Sequence, residues 1–469
     1  MSRQNAVAGA TNYFDSGAFR ADLARRVAMP TESQGGDRLD VLKAYLIDEI
    51  IPAVERLGFT CRVLDNPVAG YGPFLIAERH EADNLPTVLT YGHGDVVLGH
   101  AETWRKGLDP WQVIVEGDRW YGRGTADNKG QHTINLAALE QVMTARGGNL
   151  GFNCKILLEM GEECGSPGLR ALAAAEREAL AADVFIGSDG PRLSADRPTV
   201  FLGSRGAVNF ELSVDLRAGG HHSGNWGGVL SNAGTLLVHA IASLVAAKGR
   251  ILVDALLPAS LPEPVRAALA DVKIAQDAND PVIDPEWGEP GLTPEEKIYG
   301  WNTLEVLAFE TGTPSAPVNA IPPTAKATMQ LRFVVGTDAK NVIPAVRAHL
   351  DAHNLQRVMV KPARMEMFAA TRVDPTDPWV GWALASIAKT SGKKPALLPN
   401  LGGSLPNDVF ADILGLPTIW VPHSYPACSQ HAPDEHLLAP VAREALQIMA
   451  GLFYDLGEDG PRIVKERNR

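Results

Sequence analysis

The chain has 469 residues, 45% hydrophobic and 21% charged, a globular composition on a length too great for one ordinary core, so two domains are expected. A formal net charge of −12 argues against nucleic acid or an anionic membrane surface as partner. No run reaches the roughly 20 uninterrupted apolar residues of a membrane span, and four scattered cysteines without a CxxC pair make no disulfide framework.

In chain order, the N-terminal MSRQNAVAGATNYFDSGAFRADLARR has no apolar stretch behind its first basic residue. It is not expected to be a secretory signal, and a cytoplasmic protein with reduced thiols is the expectation. TVLTY (87–91) reads as a buried strand and runs into YGHGDVV (91–97). GRGTADNKGQ (122–131) then precedes the helical pattern TINLAALEQVMTA (133–145). CKILLEM (154–160) is a second apolar strand, ending in GEECGS (161–166) before a helical pattern at 168–180. DVFIGSD (183–189) is a third strand. Such alternation predicts an α/β domain with a largely parallel, helix-covered sheet.

The middle of the chain changes period. AVNFELSVDLR (207–217) and AKATMQLRFVV (325–335) alternate apolar and polar residues, and an apolar helical run, 229–247, lies between them. This predicts an inserted α+β domain over 205–370, with the first domain assembled from 1–204 and 371–469. After the Pro- and Asp-rich TRVDPTDPWV (371–380), the strand PTIWVP (417–422) leads to SQHAPDEH (429–436).

Five polar clusters thus follow strand ends, the edge where open α/β sheets bind ligands. They carry His93, Asp95, Asp127, Glu162, Glu163, Asp189 and His431. Taken singly, a histidine after a strand is more often structural, an aspartate before glycine is usually a turn, and adjacent glutamates are usually solvated. Together, imidazole and carboxylate without cysteine form the donor set of a catalytic zinc, manganese or cobalt site. Two such ions need a shared carboxylate, and paired ions serve hydrolysis. The residues alone leave open which of the two glutamates faces the metal.

The ordered motifs HGDVV, GRGTADNKG, MGEECGS, SDG, HHSGNWGG and QHAPDEH resemble the dinuclear metallopeptidase family of carnosinase, aminoacylase, glutamate carboxypeptidase, acetylornithine deacetylase and succinyl-diaminopimelate desuccinylase. The resemblance covers nearly the whole chain. It implies two divalent ions, zinc first and manganese or cobalt as alternatives. His93 and Asp189 would hold one ion, Glu163 and His431 the other, and Asp127 would bridge them beside a cis peptide to Asn128. Asp95 would fix the tautomer of His93, and Glu162 would be the general base for a water between the metals. The inserted domain would be a lid and the homodimer unit, with His222 of HHSGNWGG steadying the oxyanion across the dimer. Arg332 would clamp a substrate carboxylate, while Asn319 and the turn Gly402, Gly403, Ser404 would touch substrate backbone. The implied activity is hydrolysis of the amide bond of a dipeptide or N-acyl amino acid. Two other classes fit the residues less well. A catalytically silent scaffold would not need a free base beside the metals, and a two-metal phosphoesterase lacks a basic phosphate cradle or Walker-type loop.

Overall fold

The computed structural model describes residues 2–35, 37–274, 281–363 and 368–468. The chain divides into two units, one of Met1–Gly203, Arg372–Pro399 and Pro406–Arg469, the other of Ser204–Thr371 and Asn400–Leu405. The segment 400–405 was expected in the first domain. It belongs to the second because Leu401 and Gly402 carbonyls accept from Arg205 and the Ser204 hydroxyl donates to the Leu405 carbonyl.

The first unit is built on an eight-stranded sheet in the order Thr60–Leu64, Phe74–Arg79, Asn153–Glu159, Thr87–His93, Val184–Gly187, Thr418–Trp420, Thr199–Phe201, Ala396–Leu398. The four strands from Asn153–Glu159 to Thr418–Trp420 are mutually parallel, and Thr60–Leu64 and Phe74–Arg79 extend the sheet antiparallel at one side. Every residue of Asn153–Glu159 is buried, as a strand covered on both faces requires. The helices Arg3–Asp15, Lys129–Ala145, Pro378–Ser391 and Ala439–Arg467 pack on one another around a core that includes Phe14, Leu139, Trp379 and Phe453. Arg3 and Asp455 join the first and last of these helices at 2.8 Å.

The second unit holds a four-stranded antiparallel sheet in the order Thr303–Thr311, Thr324–Phe333, Gly206–Asp215, Met359–Pro362. Alternate residues of its two long central strands are buried under the helices Ala233–Leu244 and Val342–Ala352. The helical run expected at 229–247 is shorter, because the Asn232 side chain caps it by accepting the Thr235 N–H. The helix expected at 168–180 likewise ends at Ala175. Among the described residues, no helix is long and apolar enough to cross a membrane.

Candidate metal centre

The parallel strands deliver their C-terminal ends to one edge. Thr87–His93 ends on His93, fully buried and in register with Glu159 of the adjacent strand. Close packing makes the glycine after it obligatory, since a Cβ on Gly94 would stand 2.6 Å from the Tyr45 ring. Asp127 sits at the mouth of the helix Lys129–Ala145, and its peptide to Asn128 is cis. A Cβ on Gly130 would lie 1.9 Å from the Thr125 carbonyl oxygen, so the tight loop before that helix also depends on glycine. The Asn128 side chain donates to the Ser188 carbonyl at 2.8 Å, tying the Asp127 loop to the loop of Asp189.

Asp127 stands between two imidazoles. Its Oδ1 is 3.0 Å from His93 Nε2 and its Oδ2 is 2.9 Å from His431 Nε2. Asp189 Oδ2 approaches His93 Nε2 at 3.6 Å, and Glu163 Oε2 approaches His431 Nε2 at 3.2 Å. One aspartate therefore faces two imidazole–carboxylate pairs, one oxygen to each. Donor atoms of His93, Asp127 and Glu163 all lie within 4.8 Å of one another.

This donor set fits cations. His93 Nδ1 lies 3.1 Å from the Asp95 carbonyl oxygen and donates to it, so in the neutral ring the Nε2 lone pair points at two carboxylates. Only a proton or a metal ion between them makes that arrangement favourable. Glu163 Oε1 is buried without a hydrogen-bond partner, an open coordination position on the His431 side. Burial, then the neighbouring Asp127 carboxylate, pushes Glu163 above the usual carboxylate range, against the pull of His431. Burial would raise Asp127 too, but the two imidazoles outweigh it and hold that carboxyl well below its usual value.

Asp95 differs from expectation in how it acts. Its backbone carbonyl, not its carboxylate, is the nearer partner of His93, the carboxylate Oδ1 standing at 3.5 Å. The carboxylate instead accepts the backbone N–H groups of Glu162 and Glu163, each at 3.1 Å, and so fixes the short 3₁₀ turn Glu162–Cys164. Among the described residues, the Glu162 carboxylate accepts no hydrogen bond. Burial and the surrounding Asp189, Glu163 and Asp127 carboxylates raise its pKa well above the ordinary value, with His93 opposing. Glu162 is thus the carboxylate of the group held without a fixed partner.

Sequence reasoning overlooked three supporting residues. Gln430 donates its amide to Asp127 Oδ2. Arg123 and Glu435 form a buried ion pair at 2.8 Å beneath the Asp127 loop. Glu435 lies in the same quoted octapeptide as His431, but its role depends on a loop distant in sequence. His436 is a structural residue, paired in a strand with Tyr121 and hydrogen-bonded to the Tyr425 hydroxyl.

The remaining expected residues lie in the second unit and form two groups. Exposed His222 pairs with Ala320 in a two-stranded ladder, and its Nδ1 accepts the Gly224 N–H at 3.2 Å. A neutral ring in that state carries its proton on Nε2. The adjacent Asn319 carbonyl accepts from the Ser223 backbone and hydroxyl. In the other group Arg332 donates to the Ser404 hydroxyl at 2.8 Å, and Arg205 donates to the Gly402 carbonyl at 2.8 Å. Gly403, between them, is exposed.

Known proteins match the chain across both units. A profile of peptidase family M20/M25/M40 matches residues 89–455. The cysteinylglycine-S-conjugate dipeptidase of Corynebacterium striatum is 28% identical over 365 residues, 75% of this chain and 76% of that protein. The beta-Ala-His dipeptidase of Rattus norvegicus is 26% identical over 416 residues, covering 82% and 80%. The structure of the di-peptidase Dug1p from Saccharomyces cerevisiae superposes with a TM-score of 0.77 at 21% identity, over 98% of this chain and 99% of that one. With the match spanning most of its length, the chain belongs to peptidase family M20/M25/M40 and is a metallopeptidase-type hydrolase.

Proposed function

We propose that the chain is a dipeptidase that uses two divalent ions, zinc before manganese or cobalt, on a dipeptide with a free C-terminal carboxylate. The observation that carries this reading is Asp127, with one oxygen toward His93 and Asp189 and the other toward His431 and Glu163. When bound, such a pair of ions polarises a carbonyl and acidifies water. Glu162 takes the proton of the attacking water and delivers it to the leaving amine nitrogen, since its lone pairs are not committed elsewhere. His222 donates a hydrogen bond from its Nε2–H to the oxyanion and keeps the proton. Arg332, with its guanidinium oriented by Ser404 and Gln330, receives the substrate carboxylate, and Asn319 and the 402–404 turn flank the substrate backbone.

The names of the relatives, dipeptidases acting on Cys-Gly or beta-Ala-His compounds, favour a dipeptide over an N-acyl amino acid. The second unit serves as lid and homodimer surface. Its edge strand Thr303–Thr311 exposes Val306, Leu307 and Phe309, an apolar row next to unpaired backbone. A cytosolic location accords with reduced cysteines and with the dipeptide substrates.

A mass-spectrometric screen of the zinc-loaded chain against mixed dipeptides and N-acyl amino acids tests the assignment. Cleavage of dipeptides, abolished in Glu162→Gln, is the expected result. Turnover confined to N-acyl amino acids would reassign the substrate, and no turnover with either class would overturn the reading.

A further inference from the structure

We propose that Glu435 is a positioning residue for the metal centre, a buried anion around which the loops carrying Asp127 and His431 are both wound. Its Oε1 accepts three backbone N–H groups, from Gly124 and Ala126 at 3.0 Å and from Asp127 itself at 3.1 Å. Its Oε2 accepts Arg123 Nη1 at 2.8 Å, and its backbone carbonyl accepts the Gly122 N–H at 2.9 Å. Arg123 then reaches the carbonyl of Ala432, the residue after His431, at 3.1 Å, and that of Leu98 at 3.2 Å. Glu435 and Arg123 are each 1% exposed.

The Gly124, Ala126 and Asp127 N–H groups converge on one oxygen, like the backbone N–H concavities that bind anionic ligands. The Thr125 N–H between them turns to the Gly122 carbonyl. Here the chain's own side chain fills the concavity. The consequence for chemistry lies in Asp127, whose two oxygens must each face a different imidazole. A bridging carboxylate tolerates only about 0.5 Å of misplacement. Fixing the Asp127 N–H and the loop before it to Glu435 removes the freedom to rotate that carboxylate toward one side. Because Glu435 is four residues beyond His431, the same carboxylate ties the second imidazole's loop to the first.

This inference rests on the two-metal reading, and calorimetric titration of the metal-stripped full chain with zinc chloride separates the two. Asp127→Ala is expected to lose zinc binding; wild-type binding in that variant, or no binding by the wild type, sinks the two-metal reading itself. Glu435→Gln keeps one carbonyl oxygen for the N–H groups but removes the charge facing Arg123. Zinc affinity is expected to fall about 10–100-fold, the range seen when partners of metal ligands are altered. Asp455→Asn weakens a different, partly buried pair, with Arg3, and is expected to lower Tm while zinc affinity stays at the wild-type value. Wild-type zinc affinity in Glu435→Gln overturns the positioning role. Should that variant not fold, Arg123→Lys is titrated in its place. Arg123 serves Glu435 and Ala432 from Nη1 and the Leu98 carbonyl from Nη2, and a lysine, with one nitrogen, cannot hold both sides, so unchanged affinity there overturns the proposal equally.

Discussion

Glu162 and Glu163 share a peptide bond and a common support, the Asp95 carboxylate, yet their side chains have opposite fates. Glu163 turns toward His431 and Asp127, whereas Glu162 accepts nothing among the described residues. Their substitutions should therefore separate. Glu162→Gln removes the proposed base and leaves the donor cluster intact, so bound zinc should stay near wild type. Turnover should fall roughly 10²–10⁴-fold, on kcat more than KM. Glu163→Gln replaces a charged donor by a neutral amide, so excess zinc should restore part of its activity. Rescue of Glu162→Gln and not Glu163→Gln would exchange their roles. Asp95→Ala would release both backbone N–H groups at once, and elemental analysis should show zinc lost on the Glu163 side. The polar clusters that carry these donors could be picked out in the sequence because most of them follow a buried apolar strand. The division between the glutamates was not, since both follow the same strand and only the 3₁₀ turn decides which one faces His431.

At the scale of elements, the helix Lys129–Ala145 carries the most constraint. Its first turn is anchored by Lys129, whose buried ammonium donates to the Arg26 and Met29 carbonyls at 2.9 and 2.7 Å. Burial draws that ammonium down to about 7, and the nearby acidic groups only partly oppose the shift. Gly130 lets the helix start beneath the Thr125 carbonyl, so Gly130→Ala must displace backbone, not a side-chain tip. A loss of about 3 kcal/mol is expected, at the upper end of overpacking costs, with weakened zinc binding because Asp127 precedes this turn. Chemical denaturation and zinc titration of the same variant check both effects. The central strands were readable as apolar runs of five to seven residues. The strands Thr199–Phe201 and Ala396–Leu398 were not anticipated, since their pairing with one another is decided by the sheet they join. The convergence on Glu435 was equally invisible, since its donors are backbone groups more than 300 residues away in sequence.

For the whole molecule, the insertion of one unit into the other was legible from a change in period, period two in the middle against buried runs on either side. Asn400–Leu405 escaped that reading, because a turn follows whichever unit takes its hydrogen bonds. What the insertion serves is open to a direct test. If His222 acts across a dimer, Glu162→Gln and His222→Ala, each inactive alone, should complement when mixed. In a heterodimer one site has an intact Glu162 of its own and receives an intact His222 from the other chain. Random reassortment should then restore about a quarter of wild-type turnover, since half the dimers are mixed and one site in each is complete. Leu307→Lys, on the exposed edge strand, should shift the protein to monomer in sedimentation and remove the complementation. A monomeric Leu307→Lys chain with full activity would put His222 in its own chain's site, and proven heterodimers without recovered turnover would remove it from the reaction.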